Sequence, residues 1–340
     1  MHIKRAASAI VIVTFLLALT GCRKDLCYDH YRSIAVNLDW ELEWERDYGA
    51  HNSEGWDSGI NGYYDDLRPS VPEGVTMLRY SANTHEPARM FFGNKGGESV
   101  VDEGTFGLLF YNNDTEYIVL SDEASLASAR ATTTGRSRAS LADMHPGERT
   151  ISPADELFGS FEDNIPALDI HEHRALPVKM QPLVFTYIIR FNFEYGSHHV
   201  ALARGAMAGL AESVYLRNGV TSEESATVLF DCQLDGDCAV AQFGSFGAPG
   251  FPDEYYGRAP ETREWRLYTL NLEVRLTSGQ TKTMLFDISD QMLAQPRGGV
   301  ITVGGIRIED DENVGGNSAF DVSVTDWGED EDVTLPLTPN

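Results

Sequence analysis

A thiol placed directly after a membrane-targeting signal is an acyl acceptor, and Cys22 stands in that position. Lys4 and Arg5 form a charged start, Ala6 to Leu19 an apolar run, and Leu19-Thr20-Gly21 the small-residue approach to a cleavage point. The run is too short to span a bilayer, which takes about 20 apolar residues. The spacing predicts a lipoprotein signal peptide over residues 1–21, cleavage after Gly21 and acylation of Cys22. Two acyl chains hold a protein on a membrane where one binds only marginally. Residues 22–33 then form a lipidated tether, and the membrane becomes the first expected partner.

Three cysteines remain: Cys27, Cys232 and Cys238. Exported proteins meet conditions in which disulfides persist. Cys232 and Cys238 flank an Asp235-Gly236 turn, so a Cys232–Cys238 bridge is expected, with Cys27 left over or paired to one of them instead.

Other reactive residue types do not assemble into a site. His171-Glu172-His173 offers two imidazoles with no identifiable third ligand, which reads as a polar loop. His198-His199 follows Gly196-Ser197 and reads as turn polarity. Neither Asp310-Asp311-Glu312-Asn313 nor Glu329-Asp330-Glu331-Asp332 has the spaced ligands and glycine turn of a calcium loop. Gly244-Ser245-Phe246-Gly247 only faintly resembles a nucleophile elbow. Gly93-Asn94-Lys95-Gly96-Gly97 is a hairpin turn rather than a phosphate loop. No catalytic residue, metal or cofactor is expected.

The chain has 340 residues with 26 basic and 52 acidic side chains, a net charge of −26. Loss of Lys4 and Arg5 with the signal takes the mature 319 residues to −28. Such a body repels nucleic acid and anionic headgroups, so no nucleic-acid partner is expected. Hydrophobic residues at 42% suffice for real cores.

Most of the sequence reads as short strands. Ile34, Val36, Leu38, Trp40, Leu42 and Trp44 alternate with polar residues, the period of a half-buried strand. After a loop to Gly74 come strands at Val75–Tyr80 and Arg89–Phe92. Thr105–Tyr111 and Glu116–Leu120 flank Asn112-Asn113-Asp114 as a hairpin. Residues 121–150 read as a surface excursion or linker, and Pro153–Phe161 as a helical turn capped by Ser152. Leu183–Glu194 opens a second unit. Met207, Leu210 and Val214 within Val200–Arg217 give its one short helix. Strands follow at Ala226–Phe230, Leu267–Leu276, Thr281–Ile288, Ile301–Val303, Ile306–Ile308 and Phe320–Val324, with Ser278-Gly279 turning the clearest hairpin. An all-β chain of two tandem β-sandwiches is predicted, one over residues 34–165 and one over 175–328, with an acidic C-terminal tail at 329–340.

Several stretches resemble a family of uncharacterised Bacteroidetes outer-membrane lipoproteins, itself similar to the fimbrillin superfamily and its anchor subunits. They are Cys22 to His30, Leu38-Asp39-Trp40, Tyr111 to Glu116, Arg204 to Ala211, Phe286 to Gln291 and Val324-Thr325-Asp326-Trp327. Arg23-Lys24-Asp25 resembles the export signal that sends such lipoproteins to the outer face of the outer membrane. The resemblance implies Greek-key, transthyretin-like sandwiches, a fimbrium or pilus role in adhesion, and partner subunits joined by β-strand addition. Shaft subunits of this kind lose their first strand to an Arg-directed protease, whereas an anchor keeps it. Arg46 follows the first strand here and is expected to remain uncut.

A second reading is a glycan-binding surface lipoprotein, with Trp44, Trp56, Tyr63, Tyr64, Tyr255, Tyr256 and Trp265 as stacking candidates. A flat exposed row of these rings would favour glycan; an open edge along a terminal strand would favour assembly.

Overall fold

The alternating segment near the N-terminus does make a strand, shorter than its pattern. The computed structural model describes residues 31–48, 51–81, 84–137, 147–251, 266–313 and the backbone of 332–333. In it, β1 (Arg32–Trp40) buries Ile34 and Val36 and leaves Ala35, Asn37 and Asp39 in solvent. The strands that follow are β2 (Gly74–Ser81), β3 (Ala88–Gly93), β4 (Gly96–Val101), β5 (Phe106–Asn112), β6 (Ile118–Ser121), β7 (Arg130–Thr133), β8 (Gly135–Arg136), β9 (Arg149–Ile151), β10 (Phe158–Ile165) and β11 (His173–Pro182). Seven of them close a barrel in the order β1-β11-β10-β5-β2-β3-β4, with β1 returning against β4. Ile34, Val75, Met77, Phe110, Phe158 and Met180 fill it. The strand His173–Pro182 thus belongs with the first unit.

The second half contributes β12 (Phe185–Tyr195), β13 (Val200–Ala211), β14 (Ser213–Tyr215), β15 (Ser225–Asp235), β16 (Cys238–Ser245), β17 (Thr269–Leu276), β18 (Thr281–Asp287), β19 (Gly299–Arg307) and β20 (Asp332–Val333). Seven of them pair in the order β18-β17-β13-β15-β16-β12-β19, while β14 pairs with β7 and β20 with β8. β15 pairs with β13 along most of its length and with β16 at its end, so it carries the sheet around a corner. Tyr187, Ile189 and Phe191 of β12 then share a core with Met207, Leu270 and Leu272 from the other limb. A third core joins the two units: Leu109 and Tyr111 on the outer face of β5 pack with Leu183, Leu216 and Phe246. Two short α-helices, α1 (Ser58–Asn61) and α2 (Ser289–Ala294), complete the regular structure. Among the described residues, no helix is long and apolar enough to cross a membrane.

Four local expectations are corrected. Val200–Arg217 is not a helix but β13 and β14. Met207, Leu210 and Val214 fall at a helical spacing because the strand is buried on both faces and shifts register between Met207 and Leu210, and Gly205 is small because a Cβ there would fall on the Phe230 ring. The hairpin around Asn112 does not close. Asn112 accepts the Phe158 N–H at 2.7 Å and donates to the Glu156 carbonyl at 3.0 Å, while Asp155 accepts the Glu116 N–H at 2.7 Å. These side chains turn the strand away, and β6 pairs with β7 instead. The segment 121–150 is not merely a linker, since β7 joins β14 and β9 runs parallel to β15. Residues 153–157 hold no helical turn, and Phe158–Phe161 begin β10.

The Cys232–Cys238 bridge is not formed. Cys238 sits opposite Asp235 and Gln233 opposite Val240, so Cys232 lies three positions further along its strand. An odd separation in a two-residue period puts the two sulfurs on opposite faces. Cys232 packs toward the core, whereas Cys238 donates to Asn192 Oδ1 at 3.1 Å on the outer face.

Candidate docking interface

β1 occupies a slot with a strand on either side. It runs parallel to β11 from Ser33 opposite His173 to Trp40 opposite Met180, and antiparallel to β4 from Arg32 opposite Val101 to Asn37 opposite Gly96. The turn between β3 and β4 meets it as well: the Lys95 carbonyl accepts the Leu38 N–H at 3.3 Å and the Asn94 carbonyl the Trp40 indole N–H at 2.8 Å. Burial of Ile34, Val36 and most of Leu38 and Trp40 contributes on the order of 6–10 kcal/mol. That is comparable with the whole stability of a typical domain.

The chain leaving β1 is stitched to the second unit. Trp44 is buried and its carbonyl accepts the Thr186 N–H at 2.8 Å; the Arg46 N–H donates to the Arg297 carbonyl at 2.9 Å. The Arg46 guanidinium pairs with Glu41 at 2.7 Å and lies 6.0 Å from the Phe185 ring centre. Glu41 also takes Lys179 at 2.6 Å. A peptide bond held this way is a poor protease substrate, because nicking favours exposed tips with few contacts.

At the far end of the molecule, β18 and β19 terminate the second sheet. β18 alternates Thr281, Thr283, Leu285 and Asp287 in solvent with Lys282, Met284 and Phe286 half-buried. Among the described residues no strand pairs with its outer side, so its main chain is open there.

The histidines resolve into structural roles. His173 meets Ser33 Oγ at 2.5 Å and Glu98 at 3.5 Å, tying β11, β1 and β4 together, while Glu172 turns to Arg174 at 2.8 Å. His198, His199 and Asp310 place one ligand atom each within 4.8 Å of one another. The hydrogen bonds oppose a metal there. Asn313 Oδ1 accepts the Ser278 N–H at 3.0 Å, which turns its amide N–H toward His199 Nδ1 at 2.9 Å. Nδ1 is therefore the acceptor, and Nε2 carries the proton given to Asp310 Oδ1 at 3.0 Å, so the lone pair a metal would need is absent. Tyr195 donates to the same oxygen at 2.7 Å. With His199 and then Tyr195 donating to it, Asp310 is held below the usual carboxylate range. The cluster latches the ends of β12 and β19 to the β17–β18 turn.

No other predicted chemistry comes together. Ser245 is buried and its Oγ accepts the Gly247 N–H at 3.1 Å. Glu312 takes Lys282 at 2.7 Å. A cleft of about 520 Å³ between the units is lined by Glu43, Asp114, Glu116, Asp155 and Glu156, a feature the sequence reading missed. Two of its carboxylates are engaged as follows: Asp114 accepts the Glu73 N–H at 2.8 Å and Glu43 pairs with Arg68 at 2.6 Å. Burial, with Asp114 and Asp155 as lesser contributors, raises the Glu156 carboxyl.

Trp44, Trp56 and Tyr64 do not make a flat row. They meet edge to face at 5.2–5.6 Å between ring centres, with the Trp56 indole donating to the Gly62 carbonyl at 2.8 Å. Tyr63 projects into solvent beside them. Cys22, Arg23, Lys24, Asp25, Cys27, Tyr255, Tyr256, Trp265 and Phe320–Val324 lie outside the described residues, as does the acidic tail apart from the backbone of β20.

The chain is similar to several known proteins. Over 240 residues the chain is 23% identical to "Putative fimbrium anchoring subunit Fim4B" of Bacteroides ovatus, covering 70% of this chain and 64% of that protein's length. A solved structure described as a "putative adhesin from Bacteroides ovatus" overlays with a TM-score of 0.59 at 18% identity, over 85% of this chain and 97% of that one, a likeness of fold. "The fimbrial anchor protein Mfa2 from Porphyromonas gingivalis" overlays at a TM-score of 0.43 and 10% identity, over 81% and 90% of the two chains. A family match described as "Domain of unknown function (DUF5119)" covers residues 65–231, from ahead of β2 into β15. The match spans 167 of the 340 residues, just under half of the chain.

Proposed function

We propose that this chain is a non-catalytic, cell-surface subunit of the fimbrium-anchoring kind, held to the outer membrane by acyl chains on Cys22 and directed there by Arg23-Lys24-Asp25. It comprises two Greek-key, transthyretin-like units, one centred on the barrel and one on the sheet from β12 to β19. A partner subunit adds an extended segment along the open edge of β18.

The observation that carries this reading is β1, seated between β4 and β11. An anchor needs its lipid and its body in one polypeptide, and a seated β1 leaves its own slot closed to a partner. Assembly is then left to the second sheet. The 23% identity to a protein described as a fimbrium anchoring subunit supports the same reading. Among the described residues, edge-to-face packing of Trp44, Trp56 and Tyr64 keeps these three rings from forming a flat stacking platform for a glycan.

Intact-mass and N-terminal analysis of the protein from native envelopes tests the proposal. The expected species begins at acylated Cys22. A mature species beginning at Asp47 would overturn it.

A further inference from the structure

β19 is an end strand, yet its outer edge is not bare. Gln291, within α2, accepts the Thr302 N–H at 2.9 Å and donates to the Thr302 carbonyl at 3.0 Å. Gln295, just past α2, accepts the Val300 N–H at 2.6 Å and donates to the Val300 carbonyl at 3.0 Å. Each carboxamide makes the pair of bonds that a residue of a neighbouring strand would make.

The spacing explains why a helix can do this. Residues four apart on a helix are separated by about 6.0 Å along its axis, and residues two apart on a strand by about 6.6 Å. Glutamines at 291 and 295 therefore match outward-facing groups at 302 and 300, in antiparallel order. The approach is built into the chain: a Cβ at Gly299 would fall on the Gln295 carboxamide, and its φ of +146° is one that side chains rarely adopt. The Gln295 carbonyl accepts the Tyr187 hydroxyl at 3.0 Å, and Met292 is buried in the core, so α2 is pinned in place. β18 carries no such cover among the described residues, and Leu285 on it is 59% exposed.

We propose that Gln291 and Gln295 are an edge guard, a helix-borne surrogate strand that closes β19 to strand addition by a second copy of this chain and so leaves β18 as the accepting edge. The biological purpose rests on the strand-addition reading above; the guard itself does not. Hydrogen exchange on the mature chain tests it. Gln291→Ala is expected to speed exchange at Thr302 at least tenfold and Gln295→Ala at Val300, each leaving the other amide protected.

The double variant, checked for wild-type circular dichroism, is expected to self-associate in sedimentation at about 0.15 M salt, where charge repulsion is largely screened. Adding Thr302→Pro, which removes the freed donor, should return it to the wild-type state. Unchanged exchange in either single variant, or a folded double variant that associates no more than wild type, would overturn the guard. Leu285→Pro addresses β18 separately: if it retains the partner subunit, strand addition there fails while the guard stands.

Discussion

Glu45 shows how a single side chain couples the first unit to the loop that covers it. It is buried, accepts the Tyr64 hydroxyl at 2.5 Å, and takes a further hydrogen bond from Asn52. Burial, only partly offset by these donors, raises its carboxyl above the ordinary value. A carboxyl raised on folding contributes stability that is fully present below its unfolded pKa and is lost as pH rises through the folded one. Glu45→Gln keeps the carbonyl acceptor and removes the titration. Urea unfolding should therefore show the variant gaining on wild type as pH rises above the ordinary carboxyl value; a pH-independent gap would contradict this. Little of it was legible beforehand, because Glu45 reads as an ordinary polar residue in an alternating run. The Cys232–Cys238 pairing failed at the same scale: proximity in sequence said nothing about which face of the hairpin each sulfur would take.

At the scale of elements, legibility followed the uniqueness of the pattern. β1 and the β17–β18 hairpin were readable because one face of each is wet, so polar and apolar residues alternate. β13 was not, because both its faces are covered and a register shift between Met207 and Leu210 breaks the two-residue period. The Asn112-Asn113-Asp114 turn misled because its side chains bind β10 and the Glu156 carbonyl rather than close a local hairpin, information that lies some 45 residues away. Gly96 supplies the sharpest element-level test. Its φ is +92° and a Cβ would fall on the Val36 carbonyl, so Gly96→Ala pushes β4 off β1. Combining backbone strain and overpacking, the cost is expected to be about 3 kcal/mol. Chemical denaturation should show this loss, with limited proteolysis newly cutting near Arg46; a variant as stable and resistant as wild type would contradict the seating of β1.

For the molecule as a whole, the sequence correctly indicated a predominantly β body, because short strands with turn chemistry between them have few other solutions. It could not place β11, which completes the barrel although it lies next to β12 in the chain. Nor could it show that the two units share a core through Leu109 and Tyr111. That shared core makes β1, the loop after it and the second sheet one mechanical path from β1 to β18. A charge of −26 keeps such a body apart from anionic surfaces, so the proposed anchoring assigns membrane attachment to acyl chains on Cys22. Growth with a clickable palmitate analogue measures this directly. The predicted result is label on the wild-type chain, which stays with the outer membrane, and no label on Cys22→Ala, which is released. An unlabelled wild-type protein that washes free would contradict the anchoring account.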